Sequence, residues 1–395
     1  MDTDIKENVL IVDTYSQGAS HEMFNASLII MLSIIFKKVD LKVSKSSYNN
    51  CLKIINRDLP KNIKYSSVKV VEGNGRFSLL MRYIFSAFQN IRYLFAAPKN
   101  LIIVFPYNNL FSIRVVNFCN KFLKKKIIIF CHGEMEGIVK DVKKEGFLHK
   151  LLIKLASDFF LNKNVKISKG LFFSVLGDDI KKNIKKIIGE DKIVKFISVD
   201  HPYIFDSKYN YVSSSSKMNF GTVGTINKTK GSVKFFEFAS KMNPSLKQKI
   251  DIYAIGAIRD VELFKNTDIK LITKNNALLS REEFNARVSE LDYILFFYPS
   301  DSYIVTASGA IMDAIRFEKP IIALKNPYFE YIFKKFGAFG YLMNNIDDMI
   351  SKVEDLLIEN SNHNIDFKRI KNDFSPECIS MELKKEFIKI GFLRS

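Results

Sequence analysis

The chain has little that would tie it to a redox centre, a metal or a membrane span. Its four cysteines, Cys51, Cys119, Cys131 and Cys378, are scattered with neither pair nor metal-ligand spacing. That suits a reduced cytoplasm and argues against a disulfide framework or a zinc site. The longest apolar-looking run, Ala26 to Phe36, is too short to cross a bilayer and is interrupted by Ser27 and Ser33. The first residues carry Asp2, Asp4 and Glu7 where a secretory leader would be basic, so the protein is expected in the cytoplasm. No full G-x-G-x-x-G follows a strand-like run, which weakens a dinucleotide reading. Asp178 and Asp179 are adjacent, not spaced as D-x-D; their side chains point apart, and either is expected to cap a helix. No metal is therefore expected. There is no nucleic-acid-binding motif, and no internal repeat beyond two similar α/β halves.

What the chain does have is apolar content and an uneven charge. With 395 residues, 47% of them hydrophobic, it can fill two domain cores. Residues 1–200 hold 33 Lys and Arg against 18 Asp and Glu, a net of +15; residues 201–395 hold 27 against 24, a net of +3. An AT-rich genome would raise lysine throughout but would not concentrate the excess in one half. A one-sided basic field points to an anionic surface or polyanionic partner for the first half, either membrane lipid or nucleic acid.

Short buried strands alternate with amphipathic helices throughout, the pattern of an α/β protein with parallel sheets. The expected division is a Rossmann-like domain over 1–205, a serine-rich linker over 206–218 and a second Rossmann-like domain over 219–375. A last helix over 376–395 is expected to cross back onto the first domain. The chain is organised around Asp292 to Leu324. Tyr293 to Tyr298 reads as a buried parallel strand closed by Pro299. After a polar loop, Thr306 or Ser308 caps a helix with apolar Ile311, Ala314, Ile315 and Phe317, and Ile321 to Leu324 is the next strand. Ser308-Gly309-Ala310 at that helix start offers backbone N–H groups and the positive end of the helix dipole, a ready diphosphate site. Gly309 puts no Cβ in the way. Without further context the same unit is an ordinary strand–helix turn with a small cap.

This stretch resembles the nucleotide-sugar half of the GT-B glycosyltransferases, above all the group-1 (family 4-like) bacterial type. In those proteins a strand ending in Pro-Ser precedes a helix with a Glu-Ala step and then a Pro-Val-Ile strand. The resemblance implies two doubly wound domains facing across a cleft. It also implies that Asp313, at the Glu-Ala position, holds the donor ribose. Gly224-Thr225 and Lys230-Gly231 match a Gly-Arg…Lys-Gly pattern, so Lys230 would neutralise the donor diphosphate while Thr225 stands where the family has arginine. Gly256, at the end of the Ile250 to Ile255 strand, and Tyr298 complete the implied donor set. The loop after Ile272 would grip the base. Val305 stands where the family has an earlier glutamate and Glu318 where it has a glycine, so a retaining mechanism does not follow.

Cys131-His132-Gly133-Glu134-Met135-Glu136, at the end of the Ile127 to Cys131 strand, resembles the family's sugar-contacting histidine loop. Glu134 or Glu136 is a candidate acceptor of the acceptor hydroxyl's proton; as a bare sequence it also reads as a turn with solvated acids. After the first strand, Gly18 lies in a loop that resembles the start of the cleft wall, and His21 beside Glu22 is a candidate proton-handling pair or simply a capping residue. Two helical stretches admit two readings. Arg76 to Ala97 places Phe77, Leu80, Met81, Ile84, Phe88, Ile91 and Phe95 at helical spacing with Arg76, Arg82 and Arg92 among them. Phe147 to Phe160 places Leu148, Leu151, Leu152, Leu155 and Phe159 beside His149, Lys150 and Lys154. They either cover a sheet or form a basic, aromatic surface on anionic lipid.

The expected activity is metal-independent, hexosyl-type transfer from a nucleotide-diphosphate sugar, with no cofactor. The acceptor is expected to be a saccharide, membrane- or lipid-linked, in bacterial surface polysaccharide assembly at the inner face of the cell membrane. Alternatives are a sugar-nucleotide epimerase, a pyruvyl-type transferase, or a non-catalytic basic nucleic-acid-binding protein.

Overall fold

The computed structural model describes residues 8–394 apart from 57, 74, 140–145, 206–215, 260, 265–266, 274–278 and 359–363. Most of the expected linker, 206–218, and most of the loop after Ile272 therefore lie outside the described residues. The chain divides into two units. The first takes residues 1–204, 305–307 and 374–395; the second takes 205–304 and 308–373.

The first unit alternates strand and helix in chain order: β1 (Asn8–Val12), α1 (Glu22–Ile35), β2 (Lys38–Val43), α2 (Lys45–Ile55), β3 (Ile63–Ser67), α3 (Arg76–Ala96) and β4 (Ile102–Phe105). It continues with α4 (Ile113–Leu123), β5 (Lys126–Phe130), α5 (Phe147–Phe160), β6 (Leu171–Val175), α6 (Asp178–Ile188), α7 (Glu190–Ile193) and β7 (Phe196–Ser198). The seven strands form one parallel sheet in the order β3-β2-β1-β4-β5-β6-β7. β4, β5 and β6 read Ile-Ile-Val-Phe, Lys-Ile-Ile-Ile-Phe and Leu-Phe-Phe-Ser-Val, nearly unbroken apolar runs because helices cover both faces.

α1 is apolar nearly all round and almost wholly buried, which requires cover on its outer side as well. The last helix of the chain, α15 (Pro376–Lys389, numbered after the second unit's helices), supplies it by packing on α1 with Ile379, Leu383 and Phe387 fully buried. Burying three such side chains contributes on the order of 5–9 kcal/mol before ordering costs are counted. Two buried lysines close helix ends. Lys125 Nζ donates to the carbonyls of Leu94, Phe95 and Ala97 at the end of α3, and Lys192 Nζ to those of Phe159, Phe160 and Asn162 at the end of α5. Cations there meet the orphan carbonyls and the negative end of the dipole.

Two sequence expectations change here. Gly177, not an aspartate, occupies the cap of α6; Asp178 lies inside its first turn and accepts the Ser198 hydroxyl at 2.6 Å. α5 turns Ile153, Ala156 and Phe159 inward as a sheet-covering helix should. α3 differs: beside Tyr83, Ala87 and Leu94 it buries the polar Arg82, Ser86, Gln89 and Asn90 and leaves its phenylalanines outside. The space beneath it offers bare polar groups, namely the Thr14 hydroxyl and the carbonyls of Lys69, Val71 and Gly73. Only polar side chains satisfy those.

The second unit runs β8 (Met218–Val223), α8 (Ser232–Lys241), α9 (Pro244–Lys249), β9 (Ile250–Ile255), β10 (Lys270–Leu271), α10 (Arg281–Ser289) and β11 (Tyr293–Phe296). Then come α11 (Gly309–Arg316), β12 (Ile321–Leu324), α12 (Pro327–Phe336), β13 (Gly340–Met343), α13 (Ile346–Ile358) and α14 (Phe367–Asp373). Its six parallel strands lie in the order β10-β9-β8-β11-β12-β13. Both sheets are thus doubly wound, with the strand order reversing next to the unit's first strand: between β1 and β4, and between β8 and β11. Ligands of open α/β sheets bind outside the carboxyl ends of the strands at that reversal.

Candidate functional site

In the second unit, the loops leaving β8 and β11 meet at the reversal. β8 ends at Val223 and runs through Gly224 and Thr225 to a single turn of 3₁₀ helix, Lys228–Lys230, whose Lys230 N–H is held by Asn227 Oδ1 at 3.0 Å. Gly231 follows at φ +82°, and a Cβ there would lie 1.9 Å from the Phe297 carbonyl oxygen. That contact presses the start of α8 onto the end of β11, and only glycine permits it. Lys230 Nζ comes 5.9 Å from the centre of the Tyr298 ring. The Tyr298 hydroxyl is 3.1 Å from Ser308 Oγ. Lys230, Tyr298 and the start of α11 are therefore gathered in one place.

Ser308 is the residue before α11, yet its side chain does not cap the helix, since the hydroxyl is spent on Tyr298. Thr306 does not cap it either. At Gly309 an added Cβ would meet nothing within 4 Å. The amino end of this eight-residue helix is open at Gly309, while Ala310 is buried beside it. Asp313, half-buried, lies four residues on and so on the same face as Gly309. Thr225 is half-buried between Gly224 and the β8–β9 bridge at Ile226. Gly256 is used for packing: at φ +133° it sits against Gly224, whose carbonyl oxygen a Cβ would meet at 2.1 Å, and its own carbonyl accepts the Thr273 hydroxyl. Tyr303 was not singled out in the sequence. It takes a left-handed φ of 57° and stacks on Tyr298 with centroids 4.5 Å apart. Side chains with a Cβ avoid that conformation unless the surroundings impose it, and such residues concentrate at functional sites.

In the first unit the reversal is lined by titratable rings. Asp13, at the end of β1, turns the chain by accepting the N–H groups of Tyr15 and Ser16 with one oxygen and Asn25 Nδ2 with the other. Tyr15 then stacks on Tyr107, just past β4, with centroids 4.1 Å apart, and the Tyr83 and Tyr107 hydroxyls are 2.9 Å apart. His21 precedes α1 with a left-handed φ of 54° and no side-chain cap. Its ring lies 4.8 Å from that of His132, just past β5. Phe24 sets its edge against both His132 and His201, the latter just past β7. Gly18 lies in the same β1–α1 loop, at φ +49°, its N–H donating to Ser46 Oγ.

Burial holds these groups neutral. It pushes the imidazoles of His21 and His132 down, His132 further still because His21 and His201 are close, and brings His201 to about 4. Tyr15, Tyr107 and the Cys131 thiol are pushed up by the same desolvation. His132 Nε2 is 2.9 Å from the Pro106 carbonyl, which can only accept, so Nε2 carries the proton and Nδ1 the lone pair. By the same argument His201 Nδ1 donates to the Pro202 carbonyl, leaving its lone pair on Nε2. Glu134 accepts the His132 N–H with both oxygens at 3.0 Å. Burial outweighs those bonds and raises its carboxyl to about 7. A carboxyl poised there exchanges protons readily at neutral pH.

Glu136 is turned elsewhere. It is buried, and its Oε1 accepts the N–H of Val305 at 3.2 Å, in the short segment that groups with this unit. The first unit thus brings His21, His132 and Glu134 together and adds His201, Tyr15, Tyr83 and Tyr107. Among the described residues no group of three or more His, Cys, Asp and Glu is placed to hold a metal ion.

No protein-family model matches the chain. Among curated proteins it aligns with the RecBCD enzyme subunit RecB of Buchnera aphidicola, 25% identical over 252 residues, or 58% of this chain. The chain spans about a fifth, 20%, of the length of that relative. Solved structures align over almost everything. Anabaena Alr3699/HepE in complex with UDP matches at TM-score 0.60 and 9% identity, over 97% of this chain and 100% of that one. The lipopolysaccharide outer core galactosyltransferase WaaB matches at 0.55 and 14%, over 98% and 100%. WaaG, a glycosyltransferase involved in lipopolysaccharide biosynthesis, matches at 0.55 and 11%, over 96% and 99%. What is shared at such identities is the fold, and this chain is built on the frame of two Rossmann-like domains that defines the GT-B glycosyltransferases.

Proposed function

We propose that the protein is a glycosyltransferase that moves a hexosyl group from a nucleotide-diphosphate sugar to a saccharide acceptor. The observation that carries this is the open amino end of α11 beside Lys230 at the second unit's sheet reversal. Backbone N–H groups, the helix dipole and one lysine neutralise a diphosphate, so the leaving group departs without a metal. Asp313 on the same face takes the ribose hydroxyls. In the first unit Glu134, poised near neutrality, accepts the proton of the acceptor hydroxyl as its oxygen bonds to the anomeric carbon and the bond to the diphosphate breaks. His21 and His132, held neutral, accept or donate hydrogen bonds to the transferred sugar.

Neighbours crystallised with UDP and UDP-glucose support the donor class, and two neighbours named for lipopolysaccharide synthesis support an acceptor that is lipid-linked and belongs to a bacterial surface polysaccharide. The enzyme then works at the inner face of the cell membrane. The test is a thermal-shift panel of nucleoside diphosphates, since a ligand that binds only the native state raises its melting temperature. One of the panel should give a clear, concentration-dependent rise that Lys230→Ala removes. No rise with any nucleoside diphosphate at millimolar concentration overturns the reading.

A further inference from the structure

α3 turns its phenylalanines toward the solvent, where a helix in water would hide them. The side it buries carries Arg82, Ser86, Gln89 and Asn90, each bonded to Thr14, to a neighbouring hydroxyl or to the carbonyls beneath, interleaved with Tyr83, Ala87 and Leu94. The face it exposes carries Phe77, 75% exposed, Phe88, 68%, and Phe95, with Met81, Ile84 and Phe85 alongside. α4 packs against α3 and repeats the arrangement. Beside Ile113 and Val116 it buries Asn117 and Asn120, whose amides donate to the carbonyls of Lys166 and Lys125, and it exposes Phe118, 61%, and Phe122, 70%. The exposed parts of these five phenylalanines come to roughly 600 Å², the size of the largest apolar patch on a typical soluble protein.

Charge identifies what meets this face. From residue 73 to residue 133 the chain has nine Lys and Arg and no Asp or Glu. Arg76, Arg92, Lys99, Lys121 and Lys124 are exposed, and none of them is in an ion pair among the described residues. A second copy of the chain would set like charges against each other. A polyanion such as nucleic acid would use the cations and leave the phenylalanines wet. An anionic bilayer uses both, taking the rings to the headgroup boundary while the long basic side chains reach the phosphates.

We propose that α3 and α4 form a face that lays the first unit on anionic lipid. This inference stands on the two helices alone and would survive failure of the nucleotide test. It agrees with the proposed lipid-linked acceptor, and it removes Arg82, which is buried, from the basic surface expected from the sequence.

The full chain should co-sediment with phosphatidylcholine vesicles containing phosphatidylglycerol and not with phosphatidylcholine alone, and added salt should release it. Replacing Phe77, Phe88, Phe118 and Phe122 by serine should lower partition at least about tenfold. Arg92→Gln, Lys121→Gln and Lys124→Gln together should lower it roughly 100-fold and flatten the salt dependence. Circular dichroism and the melting temperature should match the parent chain in both variants, because all seven side chains are exposed. Absence of vesicle binding by the parent chain overturns the proposal, and so does unchanged binding by the phenylalanine variant. Dimerisation without lipid that the serine substitutions abolish would reassign the face to a second copy. Salt-sensitive binding to duplex DNA without vesicle binding would reassign it to nucleic acid.

Discussion

The two sheets reverse in the same way and do opposite things at the reversal. In the first unit the carboxyl ends of β1, β4, β5 and β7 deliver Tyr15, Tyr107, His132 and His201, rings that desolvation keeps uncharged. In the second, the ends of β8 and β11 deliver glycine, a lysine and the open start of a helix. One site is equipped to hold and move protons, the other to meet negative charge. In open α/β sheets ligands bind at such a reversal, and the residues that follow each strand decide what chemistry it offers.

That division of labour can be broken by exchanging which variant affects which measurement. The largest effect belongs to Glu134→Gln, which keeps an oxygen for the His132 N–H but cannot take a proton. Turnover should fall by roughly 10²- to 10⁴-fold, the usual worth of a positioned acid or base, with nucleotide affinity unchanged. An equal loss of nucleotide affinity would show that the two sites are not chemically separate. The next effect belongs to Lys230→Ala. Its ammonium lies over the Tyr298 ring and near Gly224 and makes no ion pair among the described residues, so stability should hold while affinity for the nucleoside diphosphate drops about 10- to 100-fold. Calorimetry on both variants reads the comparison directly. If Lys230→Ala binds as tightly as the parent, the start of α11 is not the diphosphate site.

Much of this was legible in the sequence. Strands such as Ile102–Phe105 and Lys126–Phe130 announce themselves as short apolar runs, and the small-residue step at Ser308–Ala310 marks the start of α11. His132 and Glu134 stand out because they follow a strand. His201 follows β7 and Tyr107 follows β4 in the same manner, but their relevance depends on strand order, which periodicity does not carry. The direction in which α3 faces was equally hidden. A helical stripe of phenylalanines shows that one face is apolar, not that it is the inner one; only the carbonyls waiting beneath Arg82 and Gln89 decide that. Ser308 was legible as a position and not as a partner, because Tyr298 lies ten residues away and takes its hydroxyl.

The smallest effects are those of pH, and they sharpen the comparison because the two kinds of buried group pull in opposite directions. If Glu134 is the base, kcat/KM should rise with pH and level off above about 7, where its carboxyl is ionised. Lys230→Ala should keep that limb at a lower height, and Glu134→Gln should lose it. Stability carries the complementary signature. The Glu134 carboxyl is raised from an ordinary value of 4.5 to about 7, so the folded chain binds the extra proton and this group's contribution falls as pH rises between those values. His201, lowered from 6.5 to about 4, binds its proton more readily when unfolded, so its contribution grows over that range as pH rises. His21 and His132 are shifted the same way as His201. Three histidines outweigh one carboxyl, and the parent chain should lose stability as pH falls below about 6.5. Glu134→Gln should deepen that acid loss, because it removes a group that gains on protonation. Melting curves from pH 5 to pH 8, with the difference between parent and variant changing across that interval, decide it. A difference that stays constant with pH would mean that the Glu134 carboxyl is not raised in the folded chain.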